Sequence, residues 1–419
     1  MNAFPRMLRI RQQFPRPAPL DIPAVIKEQL RKVCSQLQPG ARIAVGVGSR
    51  GITHLRTIVA AVVQELQQAG ARPFIIPAMG SHGGATPEGQ RDVLATYEIT
   101  ESTMGVSILD ALEVRQVGTS VDGLPAFCSV EALGADGIIL INRIKPHTDF
   151  TGTLGSGILK MCVIGLGKQV GASAMHNGAS RIGHEQAIRG IGSVLLAKAP
   201  LLGGVGILEN QFHDTAKIEF LPRDQIIARE TELLFEARAL MPLLPFEEID
   251  LLIVDCLGKN ISGAGMDPNV INRSVQGYSG SLMREGRPAP FIRRIFVRGL
   301  TPETHGNAVG IGLADVTTTR LAREADMRVT SINALTALTP QSAKMAIAFD
   351  TDREAISRTL CSLALEDVTT ARIARIADTL SLTEMEVSES LWAAAKHVPT
   401  LTALEKPHEL RFGADDNLA

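Results

Sequence analysis

A chain of 419 residues, 45% of them hydrophobic, is too long for one ordinary core and has apolar material for two domains. Its 42 basic and 44 acidic residues nearly cancel and form no long run of like charge, which argues against nucleic acid or a membrane surface as partner and favours a small molecule. The five cysteines, Cys34, Cys128, Cys162, Cys256 and Cys361, include no CxxC pair, so neither a disulfide framework nor a thiolate zinc site is expected; they read as buried thiols.

The opening residues MNAFPRMLRIRQQFPRPAPL carry arginines and prolines without the apolar core of a secretory signal, and no apolar window reaches membrane-span length, so the expected location is the cytoplasm. From Arg42 an apolar run leads through the Gly/Ser turn GSRG to a helix in which Leu55, Ile58, Val59, Val62, Val63 and Leu66 form one apolar stripe. Gly70 closes that helix, and a second apolar run ends in MGSHGG. This is a β-α-β pattern, which predicts a parallel sheet with ligand-facing loops after its strands. A further buried strand, GADGIILINRI, enters the stretch KPHTDFTGTLGSGILKM. Three loops should therefore gather at one sheet edge. Helical segments follow over 165–198, then the strand GGVGILEN and a helix over 223–239. The turn-forming MPLLPFEE marks a boundary, after which IDLLIVDCLGKN opens a second α/β region, and the terminal LRFGADDNLA is expected to fray. The predicted fold class is α/β with two domains: an N-terminal, Rossmann-like parallel-sheet domain over 1–243 and a C-terminal α/β domain over 244–419.

The gathered loops carry the chemistry. Arg50 lies among Gly48, Ser49 and Gly51 just before a helix, where backbone N–H groups and a guanidinium suit an anion. His82 occupies the second loop, followed by Thr86 and Pro87 as a helix cap and first turn. Imidazole titrates near neutrality, so a histidine at a strand end is a natural proton carrier. The third loop adds Lys145, His147 and Lys160, and His176 follows in GASAMHNGAS. GLGKQVG lacks the residues of a phosphate-binding P-loop, since Cys162 and Gln169 stand where Gly and Ser or Thr are needed. His82, His147 and His176 could instead hold a zinc-like ion directly, as in a metal-dependent lyase or hydrolase. In the second region Gln341 and Lys344 share a face if TPQSAKMA is helical, while Asp267, His305 and Asn307 read as loop scaffolding.

Taken together, Arg50, His82, His147, Lys160, His176, Gln341 and Lys344 resemble, in order and spacing, the nickel-pincer-nucleotide-dependent lactate racemases and related 2-hydroxyacid racemases and epimerases. That resemblance implies an isomerase with its active site in the cleft between two domains. It implies His82 and His147 as the acid/base pair, Lys160 as the residue covalently attached to the nickel-pincer nucleotide, and His176 as the nickel ligand. Thr151, Thr153, Ser156 and Gly157 would cradle the nucleotide phosphate, and Arg50, Gln341 and Lys344 would hold the substrate carboxylate. The implied partners are a small 2-hydroxy acid and the enzymes that build the nucleotide. A non-enzymatic alternative is an anion-binding protein without the cofactor.

Overall fold

The computed structural model describes residues 4–49, 51–148, 150, 152–275 and 290–419. The chain forms two compact units, one comprising Arg16–Met241, the other the chain up to Pro15 together with Pro242–Ala419.

In the Arg16–Met241 unit, five strands make one sheet in the order Arg72–Pro77, Arg42–Val47, Gly137–Arg143, Leu201–Glu209, Thr215–Pro222. The first four run parallel, and the last is antiparallel to its neighbour. Alternation along the central strands divides the core in two. Ile43, Val45, Ile139 and Ile141 face the helices Ile22–Cys34 and Leu55–Gln68, whereas Ala44, Ile138 and Leu140 face the layer that includes His184–Lys198 and Ile226–Leu240. Burial on both faces is why these strands read as continuous apolar runs. The Leu55–Gln68 helix buries the predicted stripe, and Gly70 follows it at φ 81°. A two-stranded hairpin, Val114–Thr119 with Pro125–Ser129, packs beside this sheet.

The other unit is built on an eight-stranded sheet, ordered Ile347–Phe349, Val316–Thr318, Phe291–Leu300, Glu248–Leu257, Ile373–Ile376, Glu384–Ser388, Met7–Gln12, Leu401–Ala403. Its first five strands are parallel and the remainder antiparallel. The partition departs from a single cut after residue 243, because Met7–Gln12 pairs with Glu384–Ser388 from Met7 opposite Ser388 onwards. Leu8 and Ile10 on one face are buried in the main core, while on the other face Met7 is buried in a second cluster and Arg9 and Arg11 are exposed.

Two expectations are corrected. The C-terminal residues are held, not frayed. Leu418 is buried, its N–H donates to Asp352 Oδ2 at 3.0 Å, and Arg298 donates to its carbonyl at 2.8 Å. Of the cysteines, only Cys128 and Cys162 are buried, Cys34 and Cys256 are half-buried, and Cys361, the last residue of the helix Asp352–Cys361, is exposed. Among the described residues no single helix is long and apolar enough to cross a membrane.

Asp352, fully buried, accepts from Arg298 Nε and Arg320 Nη2, each at 2.7 Å, besides Leu418 N. Removing it leaves the Arg298 guanidinium short of a partner in a poorly solvated place. Asp352→Ala is expected to lower the unfolding free energy by about 3 kcal/mol, measured by urea denaturation; a loss below about 1 kcal/mol would count against this anchor.

Candidate functional site

The strands Arg72–Pro77, Arg42–Val47 and Gly137–Arg143 are adjacent and parallel, so the three loops after them leave the sheet at the same edge. Each loop is pinned. After Val47, the N–H of Thr53 donates to Glu209 Oε1 at 2.8 Å, and Arg143 pairs with the same carboxylate. After Pro77, fully buried Gln90 donates to the carbonyls of Gly80 and His82 at 2.9 and 3.3 Å. Thr86 caps the helix Pro87–Thr96 through Gly89 N, as its sequence signature predicts. After Arg143, the backbones of Lys145 and Ser156 exchange two hydrogen bonds of 2.9 Å, which close the third loop at its base.

His82 is exposed, and its Nδ1 is hydrogen-bonded to the Ser49 hydroxyl of the neighbouring loop. Tyr97 in turn donates from its hydroxyl to the Ser49 carbonyl at 2.8 Å. Ser49 thus engages one ring nitrogen and ties the two loops together.

A second constellation is built on the third loop and the helices behind it. Lys160, in the short helix Ile158–Lys160, lies with its Nζ 2.5 Å from His147 Nε2. Phe150 stacks on His147 at 4.5 Å and on His184 at 5.3 Å between ring centroids. His184 also meets His176 edge-on at 6.2 Å. His176 belongs to the helix Lys168–Ile182 and His184 opens the next, with Gly183 at φ 87° making the turn between them. Burial, then the charge of Lys160, with His184, Lys145 and His176 behind it, holds His147 well below the ordinary histidine range. The imidazole is therefore neutral at neutral pH, amid groups that are cationic or able to become so.

His184 was not among the sequence candidates. Arg50 and Thr151, which were, lie outside the described residues, as does Asp149. Thr153 is committed elsewhere: its hydroxyl donates to Glu185 Oε1 at 2.6 Å and accepts from Arg189 Nη2 at 2.6 Å. A carboxylate at that hydroxyl disfavours a phosphate there. Ser156 joins the loop base through its backbone, and the Gly157 carbonyl accepts from Asn142 Nδ2 at 2.8 Å. In the other unit Gln341 lies in the 3-10 turn Pro340–Ala343, not in an α-helix. Lys344 follows it in extended backbone, exposed, beside a cavity of about 690 Å³ that is also lined by Arg294, Asp315 and Arg358. Asp267 caps the helix Pro268–Ile271 through Asn269 N, and Asn307 Oδ1 accepts from Val309 N, as expected of scaffolding. A cavity of about 790 Å³ between the 114–129 hairpin and the helix His184–Lys198 contains none of the sequence candidates.

Among the described residues, no three His, Cys, Asp or Glu side chains lie together so as to hold a metal ion. Lys168, in GLGKQVG, is turned inward: it is buried and donates to the Pro77 carbonyl at 2.6 Å, and burial draws its amine down to about 8.

Behind Lys160 lies Glu230, fully buried in the helix Ile226–Leu240. Its Oε2 accepts from Leu159 N at 2.9 Å, and burial raises its pKa from 4.5 to about 7 against the opposing pull of the Leu159 and Ile158 N–H groups. Between those two values the folded chain holds a proton that the unfolded chain has released. Stability from this group is therefore full below about pH 4.5 and declines as pH rises towards about 7. Glu230→Gln is expected to remove that decline, at most about 3 kcal/mol, from urea-unfolding profiles taken at intervals across that range. An unchanged profile in the variant would assign the decline to other groups.

Residues 25–188 match the lactate racemase N-terminal domain family. This span includes His82, His147, Lys160, His176 and His184. No curated protein matches the chain. Among solved structures, the lactate racemase apoprotein from Thermoanaerobacterium thermosaccharolyticum is similar in fold, with a TM-score of 0.53 and 13% identity over 90% of this chain and 99% of that one.

Proposed function

We propose, for a chain that belongs through residues 25–188 to the lactate racemase family and is thereby an isomerase of the 2-hydroxyacid racemase kind, that it inverts the C2 centre of a 2-hydroxy acid by way of the flat 2-keto acid. The observation that carries this reading is the gathering of Lys145, Lys160, His176 and His184 around the neutral imidazole of His147. Amines and imidazoles brought together in this way suit anionic guests, here a substrate carboxylate and a nucleotide phosphate.

The residues fit a nickel-pincer nucleotide in two respects. Lys160 offers a primary amine at the site, and His176 offers an imidazole donor for an ion whose other donors belong to its cofactor. When bound, the nucleotide supplies the acceptor for the substrate's C2 hydrogen, chemistry that no side chain provides. Lys160 is the proposed attachment residue and His176 the metal ligand. Lys145 and His184 are better suited to the phosphate than Thr153, whose hydroxyl is held by Glu185. The same reading assigns Arg50, Gln341 and Lys344 to the substrate carboxylate.

His82 and His147 then move the hydroxyl proton. His147 is neutral and able to accept it, but in this state its Nε2 is engaged by the Lys160 amine. Were Lys160 to carry the nucleotide through an uncharged linkage, one positive charge would be absent from beside His147. An incoming carboxylate would raise its proton affinity further. His82, its ring oriented by the contact of Nδ1 with Ser49, is the second proton carrier.

A protein made in a host without the nucleotide-building enzymes is expected to fold but show no racemase activity; polarimetric activity in that preparation would sink the cofactor assignment. With the cofactor loaded, Lys160→Ala is expected to abolish the adduct seen by intact-mass spectrometry. His82→Asn and His147→Asn should each lower racemisation by about 10²–10⁴-fold while retaining nickel by elemental analysis. Loss of nickel in both variants would instead favour direct ligation by these histidines, the metal-dependent lyase or hydrolase reading.

A further inference from the structure

The helix that carries Lys160 lacks a capping side chain of its own. Ile158–Lys160 is preceded by Gly157, which has nothing to offer its first N–H groups, and it passes directly into the π-helical turn Met161–Gly165. Such groups require an acceptor when they are buried, and Ile158 and Leu159 are fully buried. Glu230 supplies one. Its Oε2 takes the Leu159 N–H at 2.9 Å with the Ile158 N–H also directed to the carboxyl, while Oε1 is buried without a hydrogen-bond partner among the described residues.

The fit depends on Gly157, because a Cβ at that position would overlap the Glu230 carboxylate. Gly157 has extended backbone, φ −168°, which any residue adopts, so what favours glycine is space and not conformation. A carboxyl set in the apolar stripe Ile226, Leu233, Leu234 and Ala237 is unfavourable for packing and solvation alike. It returns a hydrogen-bonded start to a helix only three residues long, whose last residue reaches His147.

We propose that Glu230 is the positioning residue of Lys160: its carboxyl, reaching from a distant helix, caps the short helix in place of a local side chain and so directs the Lys160 amine at His147. It does not touch the reacting groups. The contact stands on geometry alone; its importance for the reaction rests on the reading of Lys160 as the attachment residue.

The chain produced without the nucleotide, treated with N-hydroxysuccinimidyl acetate at one mildly alkaline pH, reports this placement. Acetylation of Lys160 is followed by peptide mass spectrometry and divided by that of Lys32, an exposed lysine on the helix Ile22–Cys34. Glu230→Ala removes the acceptor, and Gly157→Ala displaces it from the opposite side. Each is expected to raise the Lys160/Lys32 ratio about fivefold, the change that loss of one ordinary hydrogen bond gives. Glu230→Gln keeps an acceptor oxygen and should stay within about twofold of the parent. Leu233→Ala, which loosens the same helix without touching the acceptor, should do likewise. Parental ratios in folded Glu230→Ala or Gly157→Ala would overturn the proposal, as would an equal rise in Leu233→Ala, which would mark general loosening. Should Glu230→Ala not fold, Gly157→Ala and Glu230→Gln decide it. A parent chain that never acquires a Lys160 adduct in a nucleotide-producing host would refute the attachment reading and leave the labelling result intact.

Discussion

Parallel pairing of Arg72–Pro77, Arg42–Val47 and Gly137–Arg143 is the constraint from which the site follows. A parallel ladder cannot be closed by a tight turn, so the chain must cross over a face of the sheet between strands. Every strand then delivers its next loop to the same edge. The first two loops bring Ser49 and His82 together, while the third extends as a closed excursion based on Lys145 and Ser156 and returns at Lys160. Glycine-rich sequence is tolerated here because the loops are pinned: Gln90 and Asn142 brace them from the adjoining helix and strand, while Glu209 and Glu230 reach in from elsewhere in the unit.

Electrostatics at the third loop run against stability. Placing Lys145, Lys160 and two histidines around a partly buried imidazole favours the neutral ring, and each further proton in the cluster is resisted by the others. In the other unit half-buried guanidiniums meet carboxylates directly: Arg298 meets Asp255 and Asp352 at 2.7 Å each, and Arg372 grips Asp250 and Glu248. A partly buried imidazole held neutral by its surroundings is the kind of perturbed group that marks a functional site.

Much of this was legible in the sequence, and the residues that were not share a reason. The Leu55–Gln68 helix and the three strand-end loops follow from periodicity and glycine punctuation, both of which are local signals. Met7–Gln12 escaped because its alternation covers only six residues among arginines and prolines, and its partners lie at the far end of the chain. The C-terminal residues read as polar and loose because the arginines that hold them, Arg298 and Arg375, belong to distant strands. His184 is a single histidine at a helix start, and only the turn at Gly183 and the ring of Phe150 give it a place. Glu230 did leave a trace: in its helix it falls in register with Ile226, Leu233, Leu234 and Ala237, where a carboxylate is out of character.

A hydrolytic metal site needs several protein donors converging on one point, and rigid support for each of them. Here the buried support converges on a lysine instead. The Glu230 carboxyl, the gap left by Gly157 and the Asn142 amide all act within a few residues of Lys160. An anion-binding protein without a cofactor would want its cations accessible and adaptable, and would gain nothing from directing one amine into an imidazole at 2.5 Å with a buried acid behind it. Close placement of a lysine suits an amine that must be presented to one bonding partner in one orientation, and the proposed covalently held cofactor makes that demand.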